Sequence, residues 1–400
     1  MEERMNRKTL ASLIVFVTLG TAPGVQAQTP AMQDALTKKT PAYVQTNLVT
    51  SGKPLKGKFS DKNLLNPWGL VQGPPTPFWV SDNNAGVSTL YDGTGKAVKV
   101  KVGKKKVQFV VTIPPPGSST ATATPSGIVF NGTATDFLGD LFIFAAEDGT
   151  ISGWQQSDGT DAVRHVDNSA IPTAATGAVY KGLEIATLNG HQFIYATNFR
   201  SGGIDVFDGG YKPVTSLTGT FTDPSPIAGF APFGIRLFGT SNLWVSYAEQ
   251  DAAKHDPVHQ AGAGYIDIFT TDGVFVKRFA TGGNLNAPWG MVLTPASFGP
   301  LGGNFWIGNF GDGMINAFDA MGNSKGQPAD KKGNALNVDG LWALVFGNGS
   351  NNAATTSLYF TAGPNMESEG IFGKFDVTTK KKSTGMGGGT GPYGPMPGMM

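Results

Sequence analysis

The residues best equipped for chemistry lie in one loop, Glu249-Gln250-Asp251-Ala252-Ala253-Lys254-His255-Asp256-Pro257-Val258-His259, which holds two of the four histidines with carboxylates around them. Imidazole and carboxylate side by side can ligate a transition metal, or supply an acid and a base. His255 and His259 would face one direction only on a helix, and Pro257 stands between them. Five other short segments carry Asn and acidic residues: Asp82-Asn83-Asn84, Glu147-Asp148, Asn198-Phe199-Arg200, Asn309-Phe310-Gly311-Asp312 and Pro364-Asn365-Met366-Glu367. Taken singly, such residues make turns; taken together, they form a polar set whose meaning depends on whether the fold gathers them.

A repeat supplies the gathering. An anchor of the form Pro-aromatic-Gly-aliphatic recurs at Pro67-Trp68-Gly69-Leu70, Pro125-Ser126-Gly127-Ile128, Tyr180-Lys181-Gly182-Leu183, Pro232-Phe233-Gly234-Ile235, Pro288-Trp289-Gly290-Met291 and Leu341-Trp342-Ala343-Leu344. Its third position falls at 69, 127, 182, 234, 290 and 343, a spacing of 52 to 58 residues that marks one period with variable loops. A second marker, Gly followed five positions later by an aromatic, recurs at Gly86/Tyr91, Gly149/Trp154, Gly202/Phe207, Gly264/Phe269, Gly313/Phe318 and Gly370/Phe375. Between the markers lies a middle strand that ends polar, for example Phe305 to Asn309.

Outer strands are expected at Val107 to Ile113, Ala162 to Val166, Val214 to Phe221 and Phe275 to Ala280, with a weaker one around Lys325 to Leu336. The sixth unit has none. The unpartnered strand Tyr43 to Thr50 fills that vacancy, so the reading is all-β: a six-bladed β-propeller over 43–377, closed by an N-terminal strand that completes the last blade. Each unit alone is a small sheet with two apolar faces, which only stacking on its neighbours can bury.

In such blades the loops joining strands two and three converge on one mouth of the central channel. The expected binding residues are Asp82, Asn83, Glu147, Asn198, Arg200, Glu249, Asp251, His255, Asp256, Asn309, Asp312 and Asn365. A small molecule, a glycan or a protein is the expected partner, bound at that mouth; a metal-assisted hydrolase or lyase using Glu249, Asp251, His255 and Asp256, with a divalent cation as cofactor, is the alternative. Two positions after the anchor Gly, four blades carry Val, but the third carries Glu184 and the fourth Arg236. This pair reads as a clamp between blades near the axis, with a ligand contact in the channel as the alternative.

Composition sets outer limits. The 400 residues include 56 Gly, no Cys and 15% charged residues, and the formal net charge of +1 gives no bulk field for nucleic acid or an anionic membrane. The lysines at 99, 101, 104, 105 and 106 read as a solvated face. Without Cys, thiol nucleophiles are excluded, and there is no Walker A loop, Gly-x-Ser-x-Gly elbow or His-Glu-x-x-His motif.

Residues 1–27 have the basic start, short apolar run and small-residue end of a secretory signal peptide, which predicts export to the periplasm or the extracellular space. Residues 28–42 read as a flexible leader and 378–400 as a disordered Gly/Met/Pro-rich tail; no later stretch is long and apolar enough for a membrane span.

The Pro-Trp-Gly-Leu anchors, the run Asn309 to Asp319 and Asp339-Gly340-Leu341-Trp342-Ala343-Leu344 resemble an uncharacterised family of exported bacterial proteins met in genomes with PEP-CTERM sorting systems. The chain lacks that system's Pro-Glu-Pro tail. At the level of fold it is similar to NHL-repeat six-bladed propellers, which include calcium-dependent lactonases, a lyase and binding modules. That resemblance implies calcium as one cation the mouth would take, and transfers no catalytic residue.

Overall fold

The structure is a computed structural model and describes residues 42–117 and 119–378. The signal peptide, the leader up to residue 41 and the tail from residue 379 lie outside the described residues.

Six antiparallel sheets follow one another along the chain. Blade one comprises Pro67–Val71, Phe78–Asp82, Val87–Tyr91 and Val110–Thr112; blade two comprises Pro125–Phe130, Phe142–Ala146, Thr150–Trp154 and Val163–Asp167. Blade three has three strands, Tyr180–Leu188, His191–Asn198 and Gly203–Asp208. Blade four comprises Phe230–Phe238, Asn242–Glu249, Gly264–Thr270 and Phe275–Thr281, and blade five Pro288–Leu293, Phe305–Asn309, Ile315–Phe318 and Ser324–Gly326. Blade six comprises Leu341–Phe346, Leu358–Ala362 and Ile371–Val377, completed by Tyr43–Thr50.

The closure runs antiparallel from Tyr43 opposite Val377 to Thr50 opposite Ile371, with a register shift between Asn47 and Val49. Tyr43 then reaches into blade five, where its hydroxyl donates to the Phe298 carbonyl at 2.9 Å and accepts from the Leu301 amide at 3.0 Å. A short strand, Phe59–Ser60, lies parallel along the outer side of the closing strand and covers its edge.

Apolar burial follows the stacking argument. Six of the seven buried apolar clusters lie between consecutive blades, as where Val129, Ile143 and Ile151 of blade two meet Tyr180, Ile194 and Phe207 of blade three. The seventh is on the axis. The anchor glycines are set by crowding there: a Cβ on Gly290 would lie 2.3 Å from the Trp342 carbonyl oxygen, and one on Gly234 2.4 Å from that of Trp289.

A hydroxyl stitch links the same strands. Thr197 accepts from the Gly182 amide at 2.7 Å and donates to the Phe233 carbonyl at 2.8 Å in the next blade. Ser246 does the same between Gly234 and the Pro288 carbonyl, at 2.9 and 2.6 Å.

Two outer-strand expectations are corrected. Val214 to Phe221 does not complete blade three: Pro213 bridges Phe207 and the Val214 amide bonds the Val206 carbonyl at 2.8 Å, but the segment then crosses to the tip of blade four, where the Gly219 and Phe221 amides bond the Asp272 and Gly273 carbonyls at 2.7 and 2.9 Å. Val107 belongs not to the blade-one sheet but to a separate hairpin, Lys99–Val102 with Lys105–Gln108, which interrupts the outer strand.

Candidate functional site

The start of each inner strand faces the end of the second strand, as Pro67 faces Asp82 and Tyr180 faces Asn198, so anchors and connecting loops share one end of the ring. The second anchor position carries Trp68, Ser126, Lys181, Phe233, Trp289 and Trp342. Its neighbour, the anchor glycine, faces the next blade. Whereas the Ser126 hydroxyl donates to the Tyr180 carbonyl of blade three at 2.7 Å, the aromatic second positions and Lys181 are turned the other way, over the axis, because side chains alternate along a strand.

There Trp68 stacks on Trp342 at 3.6 Å, Phe310 stacks on Trp342 at 3.9 Å, and Phe233 packs against Phe199 at 5.4 Å. The anchor aromatics Trp68, Phe233, Trp289 and Trp342 therefore plug the axis. Beneath the plug a cavity of about 40 Å³, lined by Leu70, Leu183, Met291 and Arg236 among others, is far too small for an organic ligand. The mouth is a shallow polar bowl over an aromatic floor.

Lys181 occupies an aromatic slot. Its side chain is fully buried, with the ammonium 5.0 Å from the centre of the Trp68 ring and 5.7 Å from that of Phe199. It donates to Glu147 Oε1 of blade two and to Asp256 Oδ1 of the blade-four loop, the latter at 3.3 Å. Glu147 Oε2 accepts from Asn83 Nδ2 of blade one at 2.7 Å. Asp256 Oδ1 lies 2.9 Å from His255 Nδ1. The His255 bond first, and the Lys181 ammonium after it, hold the Asp256 carboxyl down to about 2 against the effect of burial.

The blade-four loop reaches the axis by folding on itself. Asp251 Oδ1 accepts from the His255 amide at 2.8 Å, the Asp251 amide donates to the Asp256 carbonyl at 2.9 Å, and the Val258 amide returns to the Glu249 carbonyl at 2.8 Å. Pro257 is buried and bridges Gln250. This compact turn sets His255 and Asp256 over the ring, while His259 turns aside and meets Phe310 edge-on at 4.9 Å.

Glu367 approaches from blade six. Asn365, Met366 and Glu367 all have left-handed backbone, with φ of 57, 51 and 63°. Successive non-glycine residues rarely adopt it, at a cost of about 1–2 kcal/mol each. The carboxylate accepts from Asn66 Nδ2 at 3.2 Å, Asn66 Oδ1 accepts from Trp342 Nε1 at 3.0 Å, and Asn84 Nδ2 donates to the Glu367 carbonyl at 2.7 Å. Burial, then the negative charge of Glu147, pushes Glu367 up to about 7, with Lys181 and Asn66 opposing.

Of the expected residues, the structure therefore joins Asn83, Glu147, His255 and Asp256, with Asp251 shaping the loop behind them. The others build turns. Asp82 is fully buried, accepts from the Thr89 amide at 2.9 Å, and is pushed well above the carboxylate range by desolvation. Asn198 accepts from the Val179 and Ser201 amides, both at 3.3 Å, and Arg200 donates to the Gly177 carbonyl at 3.0 Å. Asn309 donates to Asp312 at 3.0 Å, Asp312 accepts from the Met314 amide at 3.0 Å, Asn365 donates to Ser368 at 3.0 Å, and Glu249 ends its strand opposite Phe230.

Arg236 Nε lies 3.9 Å from Glu184 Oε2. The Glu184 carboxylate also accepts from the Ile185 and Leu237 amides at 2.9 and 3.0 Å, a clamp from blade three to blade four. Sequence reading passed over Lys181, Glu367 and Asn66 as site residues. For Lys181 the signal was present: an ammonium at a position that four blades fill with Trp or Phe.

One oxygen or nitrogen each from Glu147, His255 and Asp256 lie within 4.8 Å of one another, close enough to share a metal ion. The Lys181 ammonium contacts both of those carboxylates. The set suits a hard or borderline divalent cation by its donors, in competition with an internal cation.

No protein-family model matches the chain. In fold it is similar to virginiamycin B lyase from Staphylococcus aureus, at 14% identity and a TM-score of 0.47 over 84% of this chain and all of that one. Uncharacterized protein R648 of Acanthamoeba polyphaga mimivirus is 28% identical over 334 residues, 82% of this chain and 78% of the relative. Uncharacterized protein L690 of the same virus is 30% identical over 340 residues, 82% of this chain and 84% of the relative. The chain belongs to the family of L690.

Proposed function

We propose that the protein is a ligand-binding propeller that takes a small polar or cationic group, free or displayed on a glycan or protein, at the mouth above Lys181. The observation that carries this reading is the division of one contact network into a fixed and an accessible half. Lys181 is fully buried, whereas the Asp256 and His255 side chains it helps to hold are 64% and 38% exposed. Structural ion pairs have no need of an open side. Three carboxylates, Glu147, Asp256 and Glu367, surround one ammonium, which favours ligands that donate hydrogen bonds or carry positive charge. The sequence of residues 1–27 supports action outside the cytoplasm.

The test is a thermal-shift and calorimetric screen with amines, amino sugars and divalent cations, run on the wild type and on the Asp256→Asn and His255→Ala variants. Ligands that stabilise the wild type and not the variants are expected. Equal stabilisation of all three would place binding elsewhere and end the proposal.

A second reading is metal-assisted hydrolysis or elimination, favoured by the Glu147, His255 and Asp256 grouping. Asp256 engages Nδ1 of His255 and leaves Nε2 for proton transfer, while Glu367, at about 7, has the acidity of a general acid. This reading requires metal in the purified protein, a chelator-sensitive melting temperature and turnover in a lactone and ester screen.

A further inference from the structure

The outer strand of blade one is interrupted in a way that the propeller does not require. Tyr91 bridges Ala97 and the Val98 amide bonds the Leu90 carbonyl at 2.9 Å; the chain then leaves the sheet as the hairpin Lys99–Val102 with Lys105–Gln108, and rejoins it at Val110. Its root is held. The Phe109 amide donates to the Val98 carbonyl at 2.8 Å, and the Phe109 ring packs edge-on against Trp79 and Trp154 at 6.4 and 6.0 Å.

Beyond that root the hairpin is two-faced. Register puts Lys99, Lys101, Lys106 and Gln108 on one side and Val100, Val102, Lys105 and Val107 on the other. Toward the tip both sides are open, while at the base Val100 is half-buried and Gln108 donates to Asp61 Oδ2. Lys99, Lys101, Lys104, Lys105 and Lys106 are exposed, as are Val102 at 60% and Val107 at 40%. Among the described residues none of these lysines forms a salt bridge, and residues 93–135 contain no Asp or Glu. Lys101 stands directly opposite Lys106, a like-charge pairing that is unfavourable in a strand pair.

We infer that this hairpin docks the protein on an anionic lipid surface, with the lysines at the headgroups and Val102 and Val107 at the acyl boundary. Such a surface relieves both unfavourable features at once. A soluble polyanion neutralises the lysines and leaves the valines in water. The whole-chain charge of +1 is no obstacle, because screening limits the field that matters to within about 10 Å of the surface. Each lysine near an anionic bilayer contributes about a fivefold preference. The hairpin leaves the blade beside Leu90, toward the end of the third strand away from Gly86 and the mouth, so docking leaves the mouth open to solvent. This inference stands independently of what the mouth binds.

The experiment is vesicle co-sedimentation of the full chain, with phosphatidylcholine alone and with about 30% phosphatidylglycerol, at roughly 0.05 and 0.5 M NaCl. Sedimentation with the anionic vesicles at low salt, lost at high salt, is expected. The Lys101→Glu/Lys106→Glu pair should weaken it by about 25-fold or more. The Val102→Ser/Val107→Ser pair should weaken it several-fold while leaving retention on heparin unchanged. Melting temperatures of both variants should match the wild type, since these side chains lie outside every buried cluster. Failure to sediment with anionic vesicles at low salt overturns the inference; so does a valine variant that sediments like the wild type, which would leave a soluble polyanion as the partner.

Discussion

Replacing Lys181 with Met tests the centre of the site. Met retains the length and apolar stem that pack against Trp68 and Phe199, so the substitution removes the charge more than the volume. It leaves Glu147, itself 91% buried, with only the Asn83 amide as partner. Breaking a buried pair from one side costs about 3–5 kcal/mol, and better packing of the thioether on the aromatic rings returns about 1. The net loss of about 2–4 kcal/mol corresponds to a fall in melting temperature of roughly 3–6 °C for a chain of this size.

Adding Glu147→Gln removes the stranded charge and keeps an acceptor for Asn83, so the double variant should recover at least half of the loss, a coupling of about 1–2 kcal/mol. Urea unfolding followed by tryptophan emission is the assay, because Trp68 and Trp342 stack beside the substitution. Raising the salt should leave the coupling in place, since a buried pair is poorly screened. A single variant as stable as the wild type, or strict additivity in the double, would refute the claim that Lys181 and Glu147 act as a unit.

Glu367 gives a pH signature. Its folded value of about 7 lies above the ordinary 4.5, so the folded state holds a proton that the unfolded state has released, and stability falls as pH rises from about 4.5 to 7. Glu367→Gln should raise stability at pH 8 by up to about 3 kcal/mol and have little effect at pH 4; melting curves at the two pH values check this, and a gain confined to pH 4 reverses the sign. Thr197→Val keeps the shape but strands the Phe233 carbonyl and the Gly182 amide, with an expected loss of about 1–3 kcal/mol in urea unfolding. Gly290→Ala drives a methyl to 2.3 Å from the Trp342 carbonyl and should cost about 3 kcal/mol or more, whereas Gly103→Ala at the open hairpin tip, at φ 60°, should cost about 1.

The repeat was legible because its markers are imposed by backbone geometry. A Gly that crowds the next blade's inner strand marks five units, with Ala343 in its place in the sixth, and a Gly five positions before an aromatic marks all six, so six blades and the closing strand could be placed from spacing alone. The outer strands were less legible, because they bury one side only and a loop can replace them: Val214 to Phe221 has the composition of a strand, yet only its Val214 amide bonds blade three, and the Gly219 and Phe221 amides go to the blade-four tip. The same holds for the mouth. Composition marked Asn198, Asn309 and Asp312 as strongly as Glu147 and Asp256, although the first three spend their polar atoms on their own turns. Local hydrogen bonding and convergence on an axis draw on the same residue types. Lys181 escaped for the opposite reason: in one strand it is an ordinary lysine, and only alignment of the six anchors makes it anomalous.

That anomaly fixes what kind of bowl the ring can present. Six aromatic anchors would give an apolar plug without direction, whereas an ammonium in the third slot draws Glu147 from one neighbouring blade and Asp256 from the other, and so orients the polar surface. With Glu367 protonated, Glu147, Asp256 and Lys181 sum to −1; once it ionises near neutral pH the sum is −2. A cation settling among these groups favours the ionised form of Glu367 and so displaces its proton, whereas a neutral ligand accepted through the Asp256 and His255 side chains leaves that proton in place. The left-handed turn at Asn365 to Glu367 is consistent with this role. Its backbone cost brings a carboxylate within the field of Glu147 and Lys181, where it responds to whatever charge enters the mouth.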